Sequence, residues 1–320
     1  MVSWLDRLQQ RNRAVGFVIA VIYKYVDDQG GYLAALITYY AFVSLFPLLL
    51  LLTTALSVVL VGHPELQRQV LESALSQFPV IGDQLTQPHR LSGGTVGVVV
   101  GIAGAIYGGM GVGQAVQNAM DSVWAVPRNV RPDPLRSRLK SLLLILILGG
   151  AAAGTTVLSL ITRAADNFGV LTTAAAITAS VAINTAICLL AFRLTTARRL
   201  PYGQLFPGAL AAAIAWQLLQ WFAAGYVGHI VKTASATNSI FALVLGMLAF
   251  LYLISTSLVL SAEINVVRVK RLYPRALLTP FTDNVELTRA DRHTYTARAK
   301  AEQAKGFQQV DVSFNQPESE

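Results

Sequence analysis

Six blocks of this chain stay apolar for about the 20 residues that a helix needs to cross a bilayer, and no other feature narrows the fold as much. They run Ala34–Val61, Thr95–Ala115, Ser141–Ile161, Thr172–Leu194, Leu205–Val227 and Ile240–Ala262. A barrel would show short alternating segments instead. The predicted class is therefore an all-α membrane protein with six transmembrane helices. Composition agrees: only 13% of residues are charged, against about 25% in a soluble protein. Too few charges remain to clothe a soluble body. The single cysteine, Cys188, has no partner in the chain, which excludes a disulfide scaffold.

Lys and Arg set the orientation. The segment before the first block, the loop between the second and third, the end of the fourth with the turn after it and the C-terminal tail carry 21 of the 25 basic residues. The outer loops hold Arg68, Arg90, Arg163 and Lys232. Both termini are thus expected in the cytoplasm. The net charge of +8 is this topological signal. It makes anionic headgroups and other membrane lipids the expected partners and calls for no nucleic acid. Self-association is left open.

Three regions follow: residues 1–33 as an N-terminal segment, 34–267 as the transmembrane domain and 268–320 as a basic tail. Val15–Tyr23 is too short to span and lacks a small-residue cleavage site. It is expected as an interfacial helix ending at Gly30-Gly31. Pro64 opens a short amphipathic helix over Glu65–Gln77 in the first outer loop. The tail is expected to be partly helical between Val285 and Lys305, with about the last fifteen residues disordered.

Small residues recur every four positions through the second block, at Gly93, Gly97, Gly101, Ala105, Gly109 and Gly113. That pattern lets helix backbones approach closely in lipid. Gly104, Gly108 and Gly111 are read as slack in the inner half of that helix. Pro47 should kink the first span and shares a face with Tyr40 and Ser44. That face either satisfies the kink or lines a cavity. The apolar centres hold no charge, and Asn184, Gln217 and Gln220 are their strongest polar groups. Nearer the cytoplasmic ends lie Tyr39 and Tyr40, then Gln114, Asn118 and Asp121, and then Arg193, Tyr252, Thr256, Glu263 and Asn265. They are expected to converge on an inner vestibule, with Arg193 paired to Asp121 or Glu263. The alternative is that the tyrosines mark the interface and the charges end helices.

Enzyme patterns are missing from the sequence. His63, His89, His229 and His293 form no H-x-x-x-H pair, and no P-loop, dinucleotide fingerprint or nucleophile elbow occurs. No cofactor or metal is expected, and the chain is read as a non-enzyme.

Four ordered motifs resemble those of the YihY/BrkB family of bacterial inner-membrane proteins. They are Ala34–Tyr40 through Ser44-Leu45-Phe46-Pro47, then Gln117-Asn118-Ala119 through Trp124, then Pro207-Gly208-Ala209 through Trp216 and Tyr226, and finally Ser261-Ala262-Glu263-Ile264-Asn265. Thr237-Asn238-Ser239, Phe250 and Ser261 depart from the usual pattern. The resemblance implies a six-helix bundle with cytoplasmic termini, Gly208 at a packing contact and a role in the cell envelope. Some members carry a ribonuclease BN label, for which these residues offer no acid–base or metal constellation. The expected function is a transporter or flippase-like protein for a lipid or other amphipathic envelope component. The alternative is a non-transporting scaffold for envelope integrity.

Overall fold

The computed structural model describes residues 9–59, 94–147, 170–230, 236–279, 282 and 285–315. All regular structure among them is helical. A helix α1 at Arg13–Asp27 is followed after a two-residue turn by α2 at Gly30–Val59. Then come α3 at Gly94–Val123, α4 over residues 134–147, α5 at Val170–Thr195, α6 at Tyr202–Ile230, α7 at Ala236–Lys270 and α8 at Arg289–Ala301. Ile177–Thr195, Tyr202–Ala223 and Val244–Lys270 are long and apolar enough to cross a membrane. Most of their surface is not covered by protein: Leu218, Trp221, Phe222, Leu245 and Leu253 all stand exposed. Apolar area on this scale suits lipid as its neighbour. The expected helix at Glu65–Gln77, Gly93, His63, His89 and most of the third apolar block lie outside the described residues.

Element ends differ from the hydropathy reading for local chemical reasons. Gly30-Gly31 does not end α1 but begins α2. The break comes earlier, where Asp28 caps α1 and Gln29 takes a positive φ of 55°. The third block's helix starts at residue 134 and not at Ser141. The Asp133 carbonyl accepts from the Ser137 N–H at 2.9 Å, and Pro134 suits a first helical position. Helix α7 has 35 residues, about 52 Å of helix. It therefore runs well past the roughly 30 Å hydrocarbon core and carries Glu263, Asn265, Arg268 and Lys270 on its final turns.

Helix α3 packs most extensively on α2, α6 packs on both α5 and α7, and α1 lies against α7. The core gathers where α3 and α7 finish, around Ala20, Ala34, Met120, Val123, Phe192, Leu205, Val259 and Val266. One face of α1 buries Gly16, Ala20, Val21 and Lys24 there, while Val18, Ile22 and Val26 remain exposed on the opposite face. The helix thus turns one face to the bundle and leaves an apolar face uncovered by the described residues.

The helix expected between Val285 and Lys305 is present in the tail as α8. Helix α8 opens with a capping box in which Thr288 and Asp291 satisfy each other's backbone N–H groups. Beyond it, the Gln308 carbonyl accepts from Gln303 Nε2 at 2.5 Å and the Gln303 carbonyl accepts from the Asn129 N–H at 3.1 Å. These bonds hold part of the stretch expected to be disordered. Residues 316–320 lie outside the described residues.

Candidate functional site: an ion-paired helix junction

The glycines of α3 divide between two neighbours. A Cβ on Gly104 would lie 2.7 Å from Pro47, one on Gly108 would lie 2.5 Å from Ser44, and one on Gly111 would lie 2.1 Å from the Tyr40 ring. The Tyr40–Ser44–Pro47 face of α2 thus beds directly onto these three glycines. They are the tight seam and not slack. Gly109 and Gly113 turn instead to Ile145 and Ser141 of α4. Gly101 is buried, and the surroundings of Gly97 lie outside the described side chains.

The second motif ties three elements together. Buried Gln117 donates to the Ser137 carbonyl at 3.0 Å and to Ser141 Oγ at 2.9 Å. Exposed Asn118 accepts from Arg131 Nη1 at 3.0 Å. Buried Asp121 accepts from the Ala197 N–H at 2.8 Å and so fixes the turn after α5. Arg193 pairs with neither Asp121 nor Glu263. Its guanidinium lies 4.0 Å from the Tyr202 ring centroid, a cation–π contact at an exposed helix end. Gln114 and Tyr39 are exposed. Asn184 Nδ2 reaches Ser180 Oγ at 3.4 Å, and that hydroxyl reaches Gln217 Oε1 at 3.5 Å, a loose polar chain between α5 and α6.

The third and fourth motifs meet as one contact. Asn265 Oδ1 accepts from the Gly208 N–H at 2.7 Å, and its Nδ2 donates to the Leu205 carbonyl at 3.1 Å. A Cβ on Gly208 would lie 2.1 Å from the Ser261 carbonyl oxygen, so only glycine permits the approach. Pro207 lacks an N–H and frees the carbonyl four residues earlier. Arg268 Nη1 covers that Gly203 oxygen at 3.4 Å.

Glu263 is fully buried. Its ion-pair partner is Lys24, with Nζ 3.6 Å from Oε2, and neither carboxylate oxygen has a hydrogen bond among the described residues. Lys24 spends its donors elsewhere: it pairs with Asp28 one turn on and donates to the Val123 carbonyl at 3.2 Å. Lys270 Nζ donates to the adjacent Trp124 carbonyl at 3.3 Å. Both lysines thus meet the unsatisfied, partly negative C-terminal end of α3. Burial works against the Lys24 ammonium, but Glu263 and Asp28 beside it outweigh burial and hold its pKa above the usual lysine value. Nearby, a Cβ on Gly31 would lie 3.5 Å from the Tyr252 hydroxyl and 4.0 Å from that of Tyr25.

A second charge network adjoins the first. Arg275 is fully buried, with Nη2 2.6 Å from Asp27 and Nε 2.5 Å from Asp291. Burial opposes its charge, and the two carboxylates more than restore it. Burial also raises the Asp27 pKa, against the pull of Arg275.

The expected vestibule residues are therefore shared out among separate partners. Tyr40 goes to the α3 glycines, Asn118 to Arg131, Asp121 to Ala197 and Glu263 to Lys24. Sequence reasoning missed Lys24, Asp28 and Arg275 as a site and counted the two cations only as topology signals. The trace of Lys24 was its place, three residues after Val21, on a face otherwise made of small apolar side chains.

Long apolar helices with exposed apolar faces, joined at a buried ion-paired end, define a helical membrane protein. The chain belongs to the BrkB family: the family model described as Virulence factor BrkB matches residues 21–283. That span includes Lys24, Asp28, Glu263 and Arg275. No curated protein and no solved structure matches the chain.

Proposed function

We propose that this chain is a multi-pass inner-membrane protein of the cell envelope that moves a lipid or other amphipathic envelope component, with the Lys24–Asp28–Glu263 junction as its closed inner gate. The observation that carries the reading is Glu263. A carboxylate buried without hydrogen bonds is costly, and apolar groups of the same volume usually stabilise a static bundle better than a buried ion pair does. A gate needs a contact that can be exchanged for another, and ionisable residues inside membrane helices usually mark such places. The charge count supports cytoplasmic termini. Anionic headgroups are the proposed partners, and no enzymatic reaction or nucleic acid enters this reading.

The scaffold reading has one observation of its own, the Tyr40–Ser44–Pro47 face packed onto Gly111, Gly108 and Gly104. Purified protein in vesicles containing fluorescent phosphatidylethanolamine or phosphatidylglycerol separates the two. A transporter makes the labelled lipid accessible from the other leaflet faster than protein-free vesicles do, and Glu263→Gln alters that rate. Protein-free rates for both lipids would leave the scaffold.

A further inference from the structure

We propose that the C-terminal tail is a latch on this junction, with Arg275 as the residue that positions α1 and so keeps Lys24 against Glu263. The inference rests on the gate reading and adds what controls it. The last turn of α1 serves both charge networks at once. Lys24 and Asp28 turn to α7, while Tyr23 and Asp27 turn to the tail. On the tail side, Asp27 meets Arg275 at 2.6 Å, and the Tyr23 hydroxyl donates to the Leu277 carbonyl at 2.5 Å. Phe17 meets Tyr273 edge-on at 5.9 Å between ring centroids.

Helix α1 has only 15 residues, a length at which an isolated helix is marginal, so its position depends on what it packs against. Its Val18–Ile22–Val26 face stands exposed among the described residues. Protein holds the helix through α7, the start of α2, the end of α3 and the tail. The tail is itself anchored through the same guanidinium. Asp291 takes Arg275 Nε on one oxygen, and its other oxygen accepts the N–H groups of Ala276 and Thr288, each at 3.0 Å. Arginine suits this junction because its rigid fork reaches two carboxylates at once. Asp291 and α8 lie beyond the residues that the family model matches, so half of the latch stands outside what family membership describes.

The test uses the full chain with Cys188→Ala and Ala20→Cys. Ala20 is fully buried on the α1 face that carries Lys24, one turn before it. Labelling by a membrane-impermeant maleimide is timed in inverted vesicles. Asp27→Asn and Arg275→Met should each raise the rate about tenfold or more, the shift expected from losing a hydrogen bond to a charged group. Arg275→Lys should fall between Arg275→Met and the parent. Arg128→Ala, at an exposed ion pair with Glu302, should leave the rate alone. Glu263→Gln separates the two ideas. If it speeds labelling while Asp27→Asn and Arg275→Met match the parent, the latch is overturned and the gate stands. If Glu263→Gln also matches the parent, the gate reading fails and the latch goes with it. Should Arg275→Met not fold, Asp27→Asn decides alone, because it leaves Arg275 on Asp291.

Discussion

The seam between α2 and α3 and the junction between α1 and α7 hold helices together by opposite means. The seam is all shape: three glycines receive Tyr40, Ser44 and Pro47, with no charge taking part. The junction is all charge, with Lys24 shared among Asp28, Glu263 and the end of α3. Close packing is felt at the scale of a methyl group and falls away once surfaces part. An ion pair can be traded for water or for a ligand's charges. Under the proposed function, the seam is the part that stays shut and the junction the part that exchanges.

The largest effect should come from splitting the buried charges. Lys24→Met leaves Glu263 and Asp28 uncompensated and should cost about 3–5 kcal/mol, the usual result of removing one partner of a buried pair. Thermal unfolding in detergent reads it, and the Lys24→Met/Glu263→Leu double variant should recover much of the loss. A double variant no better than the single would show that the pair is not the unit.

Glycine substitutions come next and grade the packing side. Gly208→Ala meets a backbone oxygen that cannot move aside, so its cost should sit at the top of the about 1–3 kcal/mol range for over-packing. Gly109→Ala meets the far end of Ile145, which can rotate away, and should be the milder of the two. Equal melting temperatures would mean that helix bodies shift freely and that shape does not set the seam.

The smallest change should follow Arg128→Ala. Its pair with Glu302 spans 2.8 Å but lies in the open, and exposed pairs contribute about 0.2–1 kcal/mol. A loss as large as that of Lys24→Met would erase the distinction between buried and exposed charge drawn here.

Hydropathy located the apolar centres of the helices because burial in lipid is written continuously along the chain. It misjudged their ends because caps and polar first turns carry no hydropathy signal, as Asp133 and Pro134 show. The glycine ladder was visible, and its Gly109 and Gly113 do pack on α4, but it did not reveal the second set that packs on α2. Residues four apart advance about 40° per step around a helix of 3.6 residues per turn, so a long ladder wraps from one neighbour to another. The set that shares one face is Gly104, Gly108 and Gly111. The junction was the least legible part. Lys24 and Glu263 are 239 positions apart, and each looks like an ordinary helix-end charge until the fold brings them together. Asn118, Asp121, Asn265 and Gly208 were singled out by the motifs, and each makes a specific contact in the fold. What the motifs did not carry was which of them meet: Asn265 and Gly208 do, while Asn118 and Asp121 hold separate loops.

The Asn265 amide also has a mechanical consequence. By accepting from one peptide group of α6 and donating to another, it works as a rivet through two beams, and Gly208 is the hole drilled to seat it. Joined this way, α6 and α7 carry load as a single strut at that end of the bundle. If the junction opens as proposed, the pivot is expected on the α1 side, where a short helix is held by side-chain contacts.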